Sequence, residues 1–218
     1  GRGKGFFFDG SYTYSKSKDD MGAYPTAVNP HQFYGPSPWD APHRISLTGN
    51  YQFPDGDTLK WLTSGWGVSG ISIYQSGYPM TVFTSAPFSA GGDYNADGNG
   101  RDRPNAPASS VKTSGWSQEE YLAGIFKASD FPAPPRGQNG NLVRNAYRGP
   151  GYADVSLSVS KKFQMTARVT TEFRVDAFNA FNRVNLSDPV TDLSNSNFGK
   201  VTSQLNTRAI QLGARLRF

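Results

Sequence analysis

The sequence of 218 residues contains no cysteine, which excludes a disulfide framework, a thiolate nucleophile and any Cys-ligated metal. Charged residues are also scarce, with 22 basic and 17 acidic side chains. The basic residues are scattered singly rather than clustered, so we expect no nucleic-acid partner. No apolar run approaches the ~18 residues that a membrane-spanning helix needs. Composition therefore excludes thiol chemistry and a helical membrane protein.

The residue types that perform catalysis are equally scarce. Only three glutamates occur, with Glu119 and Glu120 adjacent to each other and Glu172 in a strand-like segment. Paired carboxylates across a cleft cannot be built from this set, and no Gly-x-Ser-x-Gly motif is present. We expect that the chain is not an enzyme.

Aromatic residues and glycine, in contrast, are plentiful, with 4 Trp, 11 Tyr, 15 Phe and 24 Gly. Apolar residues recur at every second position in six segments of about ten residues, which is the period of β-strands with two different faces. The fourth segment, for example, alternates Val155, Leu157 and Val159 with serines. We predict an all-β protein with about six antiparallel strands.

The connections between the predicted strands alternate in length. They take about 28, 11, 70 and 4 residues, followed by about 15 to 25 before the last strand. Strands of this length with two-sided alternation, short turns at one end and long loops at the other are typical of transmembrane β-barrels, whose short turns are periplasmic and whose long loops are extracellular. We therefore predict an antiparallel transmembrane β-barrel segment in the bacterial outer membrane.

The period also assigns the two faces. The side expected to face outer-membrane lipid holds Phe6, Tyr12, Tyr14, Tyr51, Phe53, Val155, Leu157, Phe163, Phe173, Leu212, Leu216 and Phe218. The polar side expected to line a wet lumen holds Arg44, Asn50, Gln52, Asp154, Glu172, Arg174, Asp176 and Arg215. Lys161 falls on the apolar side, where we expect it at a strand end with its ammonium group reaching water.

The third segment, from about Trp66 to Val82, leaves its register open. Val68 and Ile73 favour opposite faces, and Gly70 is a candidate for a β-bulge that switches faces.

Two other architectures are compatible with alternating strands. A small self-closing barrel of about eight strands, acting as a passive pore or adhesin, would need two further strands between residues 84 and 148. A soluble β-sandwich or lipocalin-like binding module would also alternate its faces, although long loops confined to one end are uncommon there.

Six strings in this sequence resemble one known family. They are residues 11–17 (SYTYSKS), 43–44 (HR), 75–79 (QSGYP), 144–151 (RNAYRGPG), 178–182 (FNAFN) and 211–218 (QLGARLRF). Taken in order along nearly the whole chain, they resemble the C-terminal part of TonB-dependent outer-membrane receptors, in particular the Oar-like group with a carboxypeptidase-regulatory-like N-terminal domain.

The resemblance implies a 22-stranded barrel, a plug domain in its lumen, and a TonB box that couples uptake of a scarce ligand to the inner-membrane proton gradient. Residues 1–218 would then be the last six strands, with the plug, the TonB-binding N-terminal region and the other strands missing. The expected partners are outer-membrane lipid, the rest of the barrel, the plug, TonB and the barrel-assembly machinery. Family members end in an aromatic strand that this machinery reads, so Phe218 is the candidate assembly signal.

Residues 93–102 contain side chains with oxygen ligands at alternate positions, and a glycine follows the third of them. The spacing resembles that by which a calcium loop wraps a hard cation, although Pro104 stands where an EF-hand would place a bidentate Glu. The candidate Ca²⁺ ligands are Asp93, Asn95, Asp97, Asn99 and Asp102. The same residues also build flexible Asx-rich loops, and no other cofactor is expected.

Residues 117–120 (SQEE) precede an apolar run within the longest loop. Ser and Glu at this spacing form a capping box, which predicts one short helix there.

Overall fold

A computed structural model of the chain describes residues 5–20, 33–98 and 100–218. Its six long strands are β1 (Phe6–Tyr14), β4 (His43–Gln52), β5 (Trp66–Gln75), β8 (Tyr152–Gln164), β9 (Thr170–Phe178) and β10 (Ala209–Arg217). Four strands have two residues each, namely β2 (Lys18–Asp19), β3 (Gly35–Pro36), β6 (Pro79–Met80) and β7 (Tyr147–Arg148). The α-helices are α1 (Lys60–Thr63) and α2 (Gln118–Ala123), and single 3₁₀ turns occupy Phe88–Ala90 and Ala128–Asp130.

The six long strands form one antiparallel sheet in the order β1-β4-β5-β8-β9-β10, so each long strand pairs with the next one along the chain. The predicted all-β, antiparallel class is confirmed. Among the described residues, β1 and β10 each pair on one side, and the sheet is not closed into a ring. Two small ladders, β2 with β3 and β6 with β7, lie outside this sheet.

The register places most apolar residues on one face of the sheet and most polar residues on the other. One row of directly opposed residues crosses all six strands as Phe6, Tyr51, Val68, Val159, Val175 and Leu212. The neighbouring row, on the other face, reads Phe7, Asn50, Ser69, Ser158, Asp176 and Gln211. The apolar face is exposed, with Phe6 at 71% and Leu212 at 76% of full accessibility.

The third predicted strand is shorter than expected and has one register. β5 ends at Gln75 rather than near Val82, because Gly77 and Pro79 turn the chain away, and Pro79 then begins the separate strand β6. Pairing is continuous from Gly67 to Gln75, so Gly70 does not mark a bulge. Ile71 and Ile73 consequently lie on the polar face.

The connections place all the long loops at one end of the sheet. Residues 15–42, 76–151 and 179–208 connect strands at the end marked by Tyr14, Gln75 and Phe178, whereas residues 53–65 and 165–169 connect them at the other. The last connection is longer than the predicted 15 to 25 residues because β9 ends at Phe178 rather than after the string at 178–182. No described residue from 84 to 148 lies in a strand longer than two residues, so the two extra strands of a small self-closing barrel are not found there.

The buried hydrophobic core lies in the loops rather than on the sheet. Its members are Met80, Val82, Phe126, Phe131, Leu142 and Tyr147, against which Trp116 and Phe198 pack. Phe126 is the centre of an aromatic cluster, with its ring centroid 4.7 Å from that of Tyr147 and 5.4 Å from that of Phe131. Residues 33–42, 76–151 and 179–208, which we call the loop assembly, therefore include a core of their own.

The capping box predicted at Ser117 is confirmed. The Glu120 backbone N–H donates to Ser117 Oγ at 3.1 Å, and the Ser117 backbone N–H donates to Glu120 Oε2 at 2.6 Å. This second bond, together with Lys112, lowers the pKa of Glu120. Helix α2 therefore begins where the sequence predicts, with Tyr121 turned into the buried side.

Truncating Phe126 should loosen the loop assembly without disturbing the sheet. Phe126→Ala should cost about 3 to 5 kcal/mol of local stability, as expected for a large cavity in a packed core. We expect faster hydrogen exchange and proteolysis in residues 76–151, with protection of β8 and β9 unchanged. The matched control is Phe181→Ala, because Phe181 is 74% exposed and should have little effect. Equal loss of protection in loops and strands would contradict a separate loop core.

Candidate functional site

Arg148 joins the first long loop to the rest of the loop assembly. Its guanidinium donates to the Asp40 carboxylate, to the Asp40 carbonyl at 2.7 Å and to the Gly77 carbonyl at 3.1 Å. The Asp40 side chain is only 4% exposed, and its Oδ1 also accepts the Ser17 backbone N–H at 2.7 Å. One arginine thus links two long loops at the end of the sheet.

Arg144, four residues earlier in the same string, makes a second junction between these loops. It pairs with Asp19 Oδ1 at 2.6 Å and donates to the Phe33 carbonyl at 2.9 Å. Gly35 crosses so close that an added Cβ would lie 2.6 Å from the Arg144 carbonyl oxygen. Asn145, whose φ of 56° is left-handed, donates from its side chain to the Pro36 carbonyl at 2.7 Å. The string at 144–151 is therefore a set of hydrogen-bond donors to the first loop.

The string at 178–182 turns the chain at the top of β9. Asn179 is 2% exposed and left-handed, with its Oδ1 accepting the Arg183 N–H at 2.9 Å. Beyond the end of β9, the side chain of Asn185 takes the place of a neighbouring strand beside β8. Its side-chain amide donates to the Ala153 carbonyl at 2.9 Å and accepts the Ala153 N–H at 3.0 Å. A buried asparagine thereby satisfies backbone groups of β8 that no strand covers.

A cleft of about 370 Å³ opens where the loop assembly meets the sheet. Its lining includes Tyr74, Ser76, Trp116, Gln118, Tyr121 and Arg183. Burial raises the pKa of Tyr121, whose hydroxyl stays protonated and donates to the Arg148 carbonyl at 3.3 Å. The cleft thus brings aromatic faces together with hydroxyl, amide and guanidinium groups.

All eight residues predicted for the lumen lie on the same face of the sheet. Glu172 is flanked across the strands by Lys162 and Arg215, and its Oε1 lies 4.0 Å from the Lys162 ammonium. Within β9, Arg174 Nε donates to Asp176 Oδ1 at 2.7 Å. The charges on this face therefore compensate one another locally.

The residues predicted for the lipid side share the opposite face or continue its parity beyond the strand ends. Phe218 follows β10 and is 95% exposed. Lys161 departs from the prediction. It is 6% exposed within β8 rather than reaching water at a strand end, because it donates to the Leu62 carbonyl at 2.9 Å and to the Ser64 carbonyl.

Hydrogen bonds connect four of the candidate calcium ligands, Asp93, Asn95, Asp97 and Asp102, within one loop. Asp93 accepts the backbone N–H groups of Asp97 and Gly98, each at 3.2 Å, and Asp102 accepts that of Asn95 at 3.1 Å. Burial, with the neighbouring Asp97 and Asp93 carboxylates, raises the pKa of Asp102.

The fifth candidate ligand, Asn99, lies outside the described residues. Within the described part of the chain, no group of three or more His, Asp or Glu side chains is arranged to hold a metal ion. The calcium site stays a prediction.

A sheet with one largely apolar face, one largely polar face and all long loops at one end has the features of a membrane β-barrel segment. Comparison with protein families agrees, since the model of the outer membrane beta barrel domain matches residues 2–211. The chain belongs to this family, which places it in the bacterial outer membrane. Neither a curated protein nor a solved structure matches the chain. No helix in the described residues has the length and apolarity to cross a bilayer.

Breaking the Arg148–Asp40 pair should release the first long loop. Arg148→Met leaves a buried carboxylate without its partner, which should cost about 3 to 5 kcal/mol of local stability. Adding Asp40→Asn removes that charge, so the double variant should be more stable than Arg148→Met alone. Hydrogen exchange in residues 33–42 measures both effects. A double variant less stable than Arg148→Met would show that the charge of Asp40 is not the cause.

If residues 93–102 bind calcium, millimolar Ca²⁺ should protect this loop from proteolysis, and Asp97→Ala should abolish the protection because it removes a charged oxygen ligand. Because the pKa of Asp102 is raised, this carboxylate becomes protonated at a higher pH than an ordinary aspartate. The protection by Ca²⁺ should therefore weaken as the pH falls. Digestion that is identical with and without the ion would leave only an Asx-rich loop.

Proposed function

We propose that the chain forms part of the transmembrane barrel of a TonB-dependent receptor that takes up a scarce ligand across the outer membrane. Family membership supports the barrel, and the six strings in the sequence, two of which form the loop junctions at residues 144–151 and 178–182, support the receptor. In this proposal residues 1–218 are the C-terminal strands of a 22-stranded barrel that also has a plug.

The observation that carries the proposal is the register of the sheet. Every long strand presents mainly apolar residues to one face and mainly polar residues to the other, with Ile71 and Ile73 as the clearest exceptions. A soluble sandwich would cover its apolar face with a second layer, yet this face is exposed over β1 and β10. Lipid on one side and a wet lumen on the other match both faces.

Further strands are a physical requirement of this proposal. In lipid, the unpaired backbone groups at the edges of β1 and β10 would each cost several kcal/mol, and the smallest membrane barrels have eight strands. The rest of the receptor barrel would satisfy both edges. The loop assembly would then lie on the extracellular side, where its cleft is available to a ligand.

Binding to TonB tests the receptor directly. The full-length protein, purified in detergent, should bind the purified periplasmic domain of TonB, whereas a passive pore or an adhesin should not. A control protein that lacks the TonB box should lose this binding. Absence of binding by the intact protein would contradict TonB-coupled uptake and leave an outer-membrane barrel of another kind.

The face assignment predicts unequal effects of two neighbouring substitutions. Val175→Arg places a charge in lipid and should cost roughly 2 to 4 kcal/mol near the mid-membrane, whereas Arg174→Ala on the wet face should cost less. Denaturant unfolding of the protein in vesicles measures the difference. Equal costs at the two positions would contradict the assignment of faces.

We further propose that Phe218 is part of the signal read by the barrel-assembly machinery, because its aromatic ring continues the apolar parity of β10, to which another strand can pair. Deleting Phe218 should lower the amount of folded protein in the outer membrane, since it removes the ring. Phe218→Leu should lower it less. Normal levels of the deletion variant would leave Phe218 as an ordinary lipid-facing residue.

A further inference from the structure

The turn between β4 and β5 is unusually apolar for a short exposed connection. Leu59, Trp61 and Leu62 are 63%, 67% and 47% exposed. Leu59 is the N-cap of helix α1, Trp61 and Leu62 belong to that helix, and none of its four residues is buried. An exposed apolar patch of this kind is typical of an interaction site.

Hydrogen bonds hold the turn against the apolar face of the sheet. The indole N–H of Trp66 donates to the Leu62 carbonyl at 2.7 Å, and the Lys161 ammonium donates to the same carbonyl and to that of Ser64. Trp66 and Lys161 are directly opposed across β5 and β8, in the row next to Val68 and Val159 on that same face. Both donors therefore come from the apolar face, not from the polar one.

The surroundings of Lys161 explain how a cation can lie on the apolar face of the sheet. Its ammonium is 4.9 Å from the ring centroid of Trp66 and 5.0 Å from that of Phe163. Two carbonyl acceptors and two aromatic faces replace the water that the buried ammonium has lost. The cost of burying this charge is thus offset only while the turn stays folded over it.

We propose that this turn is a membrane-interface anchor, in which Leu59, Trp61 and Leu62 insert into the phospholipid leaflet at the short-connection end and Lys161 holds them at the required height. The inference rests on the proposed orientation of the barrel in the membrane. The turn continues the apolar face directly, and tryptophan favours the boundary between acyl chains and headgroups. Lys60, on the same helix, adds a positive charge suited to anionic headgroups.

Spin labelling tests this anchor, since the chain contains no cysteine. Nitroxides are attached to single cysteines at Trp61→Cys, at Asp57→Cys in the same turn and at Leu157→Cys on the apolar face, in the intact protein in phosphatidylglycerol-containing vesicles. Collisions with oxygen and with a water-soluble nickel chelate report depth. The ratio of oxygen to nickel collisions should be several-fold higher at position 61 than at 57, and highest at 157.

The labels at positions 57, 61 and 157 test the membrane-interface anchor separately from the orientation of the barrel in the membrane. A label at 61 that matches the one at 57, while 157 remains deep, would overturn the anchor and leave the barrel intact. A label at 157 that is as accessible to nickel as the one at 57 would overturn the orientation of the barrel itself.

The role of Lys161 has its own test in the same vesicles. Lys161→Met keeps the apolar stem but removes the donors, so the label at 61 should become as accessible to nickel as the label at 57, with 157 unchanged. Lys161→Arg keeps donors and should retain the depth at 61. An unchanged depth in Lys161→Met would show that Lys161 does not hold the turn.

Discussion

The structure depends on an antiparallel register that is kept without a bulge across the described pairings of its six long strands. A shift of one residue in any strand would exchange its two faces. It would place Ser158 and Asp176 among the apolar residues and Val159 and Val175 among the polar ones. In the proposed barrel each face meets a different medium, so the environment on both sides favours this register. The sheet therefore needs no second layer to specify its pairing.

The backbone groups of the long loops are not paired in the main sheet, so they need other hydrogen-bond partners. Arg144 and Arg148 donate to backbone carbonyls of the first loop, and Asn185 pairs with both backbone groups of Ala153. The aromatic cluster around Phe126 then gives these loops a core that the sheet lacks. Loops built in this way present a defined surface on the side where, in the proposed receptor, the ligand arrives. The short connection at α1 is tied to the apolar face by Trp66 and Lys161 instead.

Most of the sheet could be predicted from the sequence, since period two is a local signal that needs no knowledge of partners. The same holds for α2, whose capping box lies within four residues. The register of β5 could not be predicted, because Ile71 and Ile73 are apolar residues on the polar face. The length of the last connection could not be predicted either, because β9 ends at Phe178, where the buried side chain of Asn179 turns the chain.

The junctions of the candidate site escaped prediction for another reason. Arg148 and Asp40 are 108 positions apart, and no local pattern pairs them. The string at 144–151 marks Arg148 as part of a family motif, but it does not indicate that Arg148 contacts Asp40. Lys161 was placed on the correct face, yet its carbonyl acceptors belong to a turn nearly 100 residues away. Long-range polar contacts of this kind depend on the assembled fold.

The central claim is that one face of the sheet meets lipid and the other meets water. Cysteine scanning along β10, from residue 210 to residue 217, tests it most directly in outer membranes that contain the full-length protein. A water-soluble maleimide small enough to enter the lumen should modify cysteines at Gln211, Gly213, Arg215 and Arg217. Cysteines at Ile210, Leu212, Ala214 and Leu216 should stay unmodified. Modification that does not alternate between odd and even positions would contradict the account.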